Sequence, residues 1–441
     1  MDKPQTTIEN IFVNKNLLFV DSIVVFITVM MMLLNEHGSY NTALSFLIII
    51  TDLLMIVYSR VNNYLLVTAL IISYYNYSIC MAEYISVTKG SIFTSYAGTE
   101  ISNTGLVVLV GFNMMLFLIF SWVSVVSKSN HFAGTNIIED NNDNKDIVFV
   151  IIIVLILIWI FGFGRPTRAG ERGAPTTYYE YSVILFILGF YYSGKSKIER
   201  IVLYVVAIMY AGLNFVYGGR ATGIQVIICV ALCTVFDNIP KLWLTIGGGS
   251  LFVILTAIGS FRTSTTLSLD TINSVIASLS SGNYANDTAF SAYHTSLTMI
   301  DFRGISTFSD RAHYFMRYLL SIILGGSVPD SNLSLVTRDY YTHYYGGVLP
   351  YYFYYYFGFI GILIISGYVF WLMSMIVRRG RYSSLWRCIG IYVASTTFRW
   401  YIFSPSQITR GVLIMTVLFI ILKNVDTLMK KSRSRIKKPN G

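Results

Sequence analysis

The sequence predicts an all-α polytopic membrane protein. Of its 441 residues, 54% are hydrophobic and only 12% are charged, whereas about a quarter of the residues of a soluble protein carry charge. The mean hydropathy is +0.61. Apolar runs of roughly 17 to 25 residues, long enough to cross a ~30 Å hydrocarbon core as helices, recur along the whole chain. We therefore expect residues 1–441 to form a single integral membrane domain.

The apolar runs predict about twelve membrane spans. The first run ends in NEHGSYNT without a small-residue cleavage site, which indicates a retained helix rather than a signal peptide. All four cysteines lie within apolar runs, so we expect no disulfide framework. The predicted spans are roughly 17–34, 43–59, 63–82, 103–126, 147–163, 178–193, 201–217, 221–236, 242–260, 350–376, 387–403 and 408–423.

Clusters of positive charge set the predicted orientation. The C-terminal residues 424–441 and the loop VRRGRYSSLWR are dense in Lys and Arg, which places both on the cytoplasmic side. An even number of spans then makes both termini cytoplasmic, and 424–441 becomes a basic cytoplasmic tail that is attracted to anionic lipid.

The type of cation differs between the two predicted sides. The inner side carries 12 Lys and 8 Arg, whereas the outer side carries Lys89 and 11 Arg. Arginine offers a planar, permanently charged fork suited to bidentate contacts with phosphate or carboxylate, while lysine is a flexible point charge. The skew predicts an anion site on the outer face.

One predicted outer loop, residues 261–349, is much longer than the others, and a loop of this length is seldom a mere connector. We expect it to be largely helical. A first amphipathic stretch follows Asp287, a candidate N-cap, and should lie on the membrane or on the bundle. A second, DRAHYFMRYLLSIIL, begins at Ser309 or Asp310, and Asp310 is either its cap or a base.

Three parts of the outer face supply the candidate anion-binding arginines. Arg220 follows two glycines at the membrane edge, a suitable position to bind an anion such as a lipid-linked pyrophosphate; the alternative is that its side chain snorkels to lipid headgroups. The candidates are Arg165, Arg168 and Arg172 of the loop FGFGRPTRAGERGAPTT, Arg220 of VYGGRATG, and Arg303, Arg311 and Arg338 of the long loop.

The candidates for proton transfer are His313, His343 and Asp339. The segment TRDYYTHYYGG brings Asp339 and His343 together just before a predicted span, and they would be i, i+4 neighbours if that stretch is helical. A hydroxyl that attacks a sugar carbon needs a base, and a departing phosphate needs cations. The alternative is that Asp and His in this loop are only solvated.

Several classes of protein are disfavoured. The sequence has no Walker-type phosphate loop, no GxGxxG after a strand, no HExxH and no cluster with metal-ligand spacing. We therefore expect no metal, no cofactor and no bound nucleotide.

These features resemble the bacterial O-antigen and capsule repeat-unit polymerases (Wzy-type), which are polytopic glycosyltransferases of the GT-C kind. The similarity covers most of the chain: the number of spans, a short outer loop with arginines, the motif YGGRATGIQVIICVAL at 217–232, and the long outer loop. That loop ends in YYGGVLPYYFYYYFGFIGILI at 344–364. Where some relatives carry a Glu after the Gly-rich turn, this chain has tyrosines from residue 351.

The resemblance implies an enzyme of the bacterial inner membrane in lipopolysaccharide biosynthesis. It would join undecaprenyl-pyrophosphate-linked oligosaccharide repeats at the periplasmic face, with lipid-linked glycans as donor and acceptor. Membrane lipids and a chain-length regulator are the other implied partners, and no nucleic acid is expected. Related ligases have a functional histidine before the span that follows the long loop, and His343 is at that place.

Two other functions remain open at this stage. An O-antigen ligase performs the same chemistry on a different acceptor, and the sequence pattern separates it poorly from a polymerase. A lipid-linked oligosaccharide flippase also has twelve or more spans, but we would expect short loops and a basic central cavity, so the long loop 261–349 disfavours it.

Overall fold

The computed structural model of the protein describes residues 41–89, 94–129, 143–164, 174–194, 196–216, 220–235, 288–341 and 346–436, with His343 and a few short runs besides. Contacts divide the chain into two compact units. Unit 1 comprises residues 1–132, 241–378 and 397–407, and unit 2 comprises residues 133–240, 379–396 and 408–441.

The described residues are mostly helical. In chain order the α-helices are α1 Asn41–Ser59, α2 Asn63–Lys89, α3 Thr94–Ser129, α4 Lys145–Phe161, α5 Thr177–Ser193, α6 Lys197–Val216, α7 Arg220–Thr234, α8 Thr288–Ile305, α9 Phe308–Leu324, α10 Leu333–Val336, α11 Leu349–Phe357, α12 Phe359–Gly380, α13 Ser384–Ser395, α14 Thr397–Trp400 and α15 Ser406–Ile436. A 3-10 turn, Thr337–Asp339, follows α10, and two short strands, β1 Phe163–Gly164 and β2 Ala174–Pro175, pair antiparallel.

Four helical segments of the described chain are long and apolar enough to cross a membrane: Ile101–Val125, Lys197–Phe215, Phe359–Gly380 and Ser406–Ser432. Shorter apolar helices cover Ala43–Ser59 and Ala221–Thr234. These segments identify a helical protein of the membrane-embedded kind. Most of the first predicted span, 17–34, and most of the ninth, 242–260, lie outside the described residues.

Two predicted spans are each interrupted in the structure. The span predicted at 350–376 is divided into α11 and α12 at Gly358, whose φ is +63°, a conformation that glycine adopts without steric cost. The span predicted at 387–403 is divided into α13 and α14 at Thr396. Apolar character alone therefore predicts the length of these segments but not their breaks.

Within unit 1, helices α1, α2 and α3 pack together, and α8 packs against α2, α3 and α11. Helices α3 and α8 approach closely at Gly105, where an added Cβ would lie 2.4 Å from Cδ2 of Leu297 and 3.0 Å from the hydroxyl of Tyr293. The first amphipathic stretch of the long loop is thus part of the bundle. Its candidate cap, Asp287, lies outside the described residues.

Within unit 2, the ends of the arginine-containing loop are closed by the short strands. Phe163 pairs with Pro175 and Gly164 with Ala174, and the hydroxyl of Thr176 donates to the carbonyl of Gly162 over 2.8 Å. The same hydroxyl accepts from the amide of Tyr179 as the N-cap of α5. The loop between β1 and β2 is therefore anchored at both ends by backbone pairing.

The predicted basic tail begins inside helix α15, which continues to Ile436. Asp426 accepts a hydrogen bond from the side-chain Nδ2 of Asn144 over 2.7 Å and forms an ion pair with Lys430 at 2.7 Å. The described part of the tail is therefore a helix attached to unit 2.

Candidate functional site

His343 is held between two threonine hydroxyls. Its Nε2 lies 2.9 Å from the hydroxyl of Thr337 and its Nδ1 lies 3.4 Å from the hydroxyl of Thr295. The Thr337 hydroxyl also donates to the carbonyl of Leu333 over 3.1 Å. Because both ring nitrogens have a partner, the imidazole is fixed in one orientation between α8 and the 3-10 turn.

The residues that follow His343 are held by serine hydroxyls. The amide of Gly346 donates to Oγ of Ser334 over 3.2 Å, and the amide of Val348 donates to Oγ of Ser296 over 2.8 Å. Gly346 has a φ of +94°, so the chain turns here in a conformation that favours glycine. Serines of α8 and α10 thus position the start of α11.

Arg338 and Asp339 are exposed on the 3-10 turn Thr337–Asp339, and Tyr340 follows as an exposed turn residue. The helical arrangement that would make Asp339 and His343 i, i+4 neighbours does not occur, because the last helical hydrogen bond of this turn is the one from the amide of Tyr341 to the carbonyl of Thr337. His343 instead bonds back to Thr337. The short turn therefore leaves the Asp339 carboxylate exposed, whereas the His343 ring is half-buried.

An aromatic cluster centred on Phe302 lies beside this turn. Phe302 stacks in parallel on Tyr355, with ring centroids 5.5 Å apart, and packs on Tyr340 at 4.9 Å and on Tyr314 at 6.3 Å. Tyr340 is 60% exposed. Helices α8, α9 and α11 therefore present a tyrosine-rich surface that reaches solvent through the ring of Tyr340.

His313 and Arg311 lie at the same cluster. The ring of His313 packs edge-on against Tyr314, with centroids 5.6 Å apart. Arg311 is half-buried and lies close enough to Tyr355 for its charge to act on that phenol. Its buried Nε has no hydrogen-bond partner among the described residues, which is unusual for a buried donor.

Arg303 makes contacts with the backbone and an aromatic ring. Its Nη1 donates to the carbonyl of Tyr355 over 2.8 Å, and its guanidinium lies 5.5 Å from the ring centre of Tyr354. A cation near the last carbonyls of α11 is favourable because of the helix dipole. Arg303 therefore stabilises the end of α11 just before the break at Gly358.

Several exposed carboxylates lie close enough to Tyr314 to act on its phenol. Burial, then Tyr340, and then the carboxylates of Asp330, Asp310 and Asp339 raise the pKa of Tyr314. Each of these groups disfavours the phenolate. Asp339 therefore lies near the same phenol that His313 contacts.

Asp310 caps its own helix. Thr307 is the N-cap of α9, and its hydroxyl and amide donate to the Asp310 carboxylate over 2.7 and 2.9 Å, which completes a capping box. The helix therefore begins at Phe308, slightly before the predicted start. These hydrogen bonds from Thr307 lower the pKa of Asp310, so of its two predicted roles the carboxylate takes the capping one.

Two further polar groups were not among the site candidates predicted from the sequence. His294 of α8 is buried, and burial, followed by the charge of His343, lowers its pKa. Asp301 hydrogen-bonds the hydroxyl of Tyr341, and burial, followed by that bond, raises the pKa of Tyr341. The seven-residue spacing of His294 and Asp301 on one helix was the available signal.

The remaining candidate arginines belong to unit 2. Arg220 is the first residue of α7, and nothing is described of its side chain. Arg165, Arg168 and Arg172 lie outside the described residues. Their part in an anion site stays a prediction.

In the part of the chain that the structure describes, no group of three or more His, Cys, Asp or Glu side chains could hold a metal ion. The four cysteines all lie among the described residues, where they are buried and are not joined in disulfides.

Comparisons with protein-family models, with curated proteins and with solved structures found no match to the chain.

Proposed function

We propose that the protein is an oligosaccharide repeat-unit polymerase of the bacterial inner membrane. It would span the membrane about twelve times with both termini in the cytoplasm. It would join undecaprenyl-pyrophosphate-linked repeats at the periplasmic face. The proposal is based on the resemblance in sequence and on the surface formed by α8, α9, α11 and the turn Thr337–Asp339.

One observation carries the proposal most directly. Arg311 has a buried Nε without a partner among the described residues, and it lies beside the tyrosine cluster. The exposed carboxylate of Asp339 acts on Tyr314 of the same cluster. Guanidinium groups suit the oxygens of a pyrophosphate. Tyrosine rings offer stacking surface and hydroxyls for sugars. This combination fits a substrate with an anionic end and a glycan end.

In the proposed reaction, a hydroxyl of the acceptor repeat attacks the anomeric carbon of the donor glycan. The new glycosidic C–O bond forms as the bond from that carbon to undecaprenyl pyrophosphate breaks. Asp339 takes the proton of the attacking hydroxyl, and Arg311, with Arg338, stabilises the charge on the departing pyrophosphate. His343 keeps the turn that carries Asp339 in place through Thr337.

The other candidates have different roles in the proposal. Arg303 supports the end of α11, and His313 bounds the sugar surface through Tyr314. Arg165, Arg168, Arg172 and Arg220 would form a second outer cluster for the pyrophosphate of the other lipid-linked substrate.

The test is the length of O-antigen chains on a gel. Deletion of the gene should leave lipopolysaccharide that carries single repeats, because a ligase remains to attach them. Asp339→Asn should reduce long chains, with polymerisation slowed about 10²- to 10⁴-fold as expected for loss of a general base. Asp330→Asn is a matched control: this carboxylate is also exposed and also acts on Tyr314, and its removal should leave long chains.

Other outcomes would redirect the proposal. If deletion abolishes all attached repeats while long lipid-linked chains accumulate, the protein is a ligase. If deletion abolishes both the attached repeats and the long lipid-linked chains, the protein is a flippase. Arg311→Lys keeps the charge and removes the fork, so unchanged chain length would contradict bidentate binding of pyrophosphate at Arg311.

A further inference from the structure

A buried polar cluster joins helices α1, α2 and α3 in unit 1, apart from the surface described above. Asp52 is 4% exposed, and Asn76 and Asn113 are 0% and 1% exposed. These side chains lie inside strongly apolar helices, where polar groups are costly and tend to mark a function. The proposed polymerase chemistry does not use them.

The hydrogen bonds of the cluster run in one direction. The hydroxyl of Tyr401 donates to Oδ1 of Asn76 over 2.5 Å. Nδ2 of Asn76 donates to Oδ1 of Asp52 and to Oδ1 of Asn113, each over 3.1 Å. Nδ2 of Asn113 donates to the hydroxyl of Thr51 over 2.6 Å. Both carboxamides are therefore fully engaged, and the chain of donors leads to the Asp52 carboxyl.

Two atoms of the cluster are left over. Oδ2 of Asp52 and the hydroxyl oxygen of Ser73 are buried, and neither has a hydrogen-bond partner of good geometry among the described residues, although Ser73 lies beside the carboxyl. The two atoms can pair with each other either through the hydrogen of the Ser73 hydroxyl or through a proton on Oδ2 of Asp52. Which of the two holds depends on whether Asp52 is charged, and its surroundings decide that.

The described surroundings of Asp52 contain no compensating cation. Its contacts on α2 and α3 are neutral amides and a hydroxyl, and the titratable groups that interact with the cluster include the phenol of Tyr401 and the thiol of Cys80. An unpaired carboxylate inside a protein costs several kcal/mol, so such a group takes up a proton instead. A metal ion would need about six oxygens, whereas only one carboxylate oxygen and one hydroxyl are open.

Tyr401 lies at the other end of this series of hydrogen bonds, and its backbone contacts the segment after His343. The carbonyl of Tyr401 accepts from the amide of Leu349 over 2.7 Å, and the carbonyl of Ile402 accepts from the amide of Gly347 over 2.9 Å. The residue between them, Val348, is held by Ser296. Tyr401 is therefore bonded to Asn76 through its side chain and to the start of α11 through its backbone.

We propose that Asp52 is a buried proton-binding site: its carboxyl carries a proton in the folded protein and, through Asn76 and Tyr401, acts as a positioning residue for the segment Gly346–Leu349. Loss of the proton places an uncompensated charge among α1, α2 and α3. The three helices then lose packing, and the support of Tyr401 weakens with them.

Infrared spectroscopy of the purified protein in lipid vesicles tests the proton directly. At neutral pH the wild-type protein should show the carbonyl band of a protonated carboxylic acid, shifted in D₂O. Asp52→Asn should remove that band, while Asp330→Asn, at an exposed carboxylate, should leave it. Absence of the band in the wild-type protein, or its persistence in Asp52→Asn, overturns the proposal without any need for the variant to be active.

The pH dependence of unfolding supplies a second readout. A protonated buried carboxyl stabilises the folded protein at low pH. This contribution is lost as the pH rises, because the unfolded chain releases the proton while the folded protein must keep it or bury a charge. The melting temperature of the wild-type protein should therefore fall with rising pH more steeply than that of Asp52→Asn, whose neutral amide mimics the protonated carboxyl. Equal slopes contradict the proposal. A melting temperature raised by Na⁺ but not by choline would assign a metal ion to Asp52 and refute the proton.

Discussion

Helices α8 and α9 follow one another in the long loop, and the sequence predicts both as amphipathic, yet they are packed very differently. Eight consecutive residues of α8, 292–299, are buried. In α9 the buried residues are Tyr318 and Ser321. One helix belongs to the interior of unit 1, and the other covers α11 with one face and leaves the opposite face exposed.

The polar residues of the two helices explain the difference. The polar side of α8 up to Ile300 consists of Ser, Thr and His, and its hydroxyls donate to carbonyls of their own helix, as Thr295 does to Ser291 and Ser296 to Ala292. Such side chains can be buried because they satisfy themselves. The polar side of α9 carries Asp310, Arg311, His313 and Arg317, and charged groups need solvent or a partner.

The largest effect is expected where α8 meets α3. Gly105→Ala places a Cβ 2.4 Å from Leu297 and 3.0 Å from the Tyr293 hydroxyl, and overpacking of this kind costs about 1–3 kcal/mol. Gly111→Ala in the same helix meets no atom within 4 Å, so alanine should be neutral or stabilising there. Thermal unfolding in detergent measures both variants. Equal melting temperatures would mean that α8 does not pack closely on α3.

A loss of similar size is expected from removing the Ser296 hydroxyl, by which α8 holds the start of α11. Ser296→Ala leaves the buried amide of Val348 without its acceptor, at a cost of about 1–3 kcal/mol. The exposed Ser309→Ala in α9 should change stability by less than about 0.5 kcal/mol. Hydrogen exchange followed by mass spectrometry should show faster exchange at residues 346–349 in Ser296→Ala alone. Unchanged exchange there would contradict the role of Ser296.

These two helices also show what sequence can and cannot predict. Apolar runs predicted most of the described helices, because burial in lipid or protein requires apolar length. For α8 the sequence left open whether the helix lies on the membrane or on the bundle, since periodicity does not distinguish a polar face that meets water from one that bonds to itself. The i, i+4 arrangement of Asp339 and His343 depended on a helical stretch, and the sequence did not settle whether the stretch is helical. In the structure His343 contacts Thr337 instead, and such a local side-chain contact leaves no period in the sequence.

The histidines of the two helices should respond differently to pH. Burial, and then the charge of His343, lowers the pKa of His294 from its ordinary 6.5. The unfolded chain takes up a proton first as pH falls, so the stability due to neutral His294 is present above about pH 6.5 and declines below it. The melting temperature of the wild-type protein should fall from neutral to mildly acid pH. His294→Gln should reduce this slope, and the exposed His313→Gln should keep it. The same slope in all three proteins would exclude His294 as its source.

The smallest effect is expected at the N-terminus of α9. Thr307→Ala removes the N-cap hydroxyl that bonds both the Asp310 amide and its carboxylate, and loss of such a cap costs about 1 kcal/mol. Because these bonds lower the pKa of Asp310 from its ordinary 3.8, the carboxylate stabilises the folded state above that pH, and the contribution disappears as pH falls through the lowered value. The gap in melting temperature between Thr307→Ala and the wild-type protein should therefore narrow in acid. Thr307→Ser keeps a hydroxyl and should behave as the wild-type protein does. A gap of the same size at neutral and acid pH would mean that the Asp310 carboxylate takes no part in the cap. The account of α8, whose polar side chains bond to their own helix, would then stand, and the account of α9 as a surface helix capped by a charged group would be wrong.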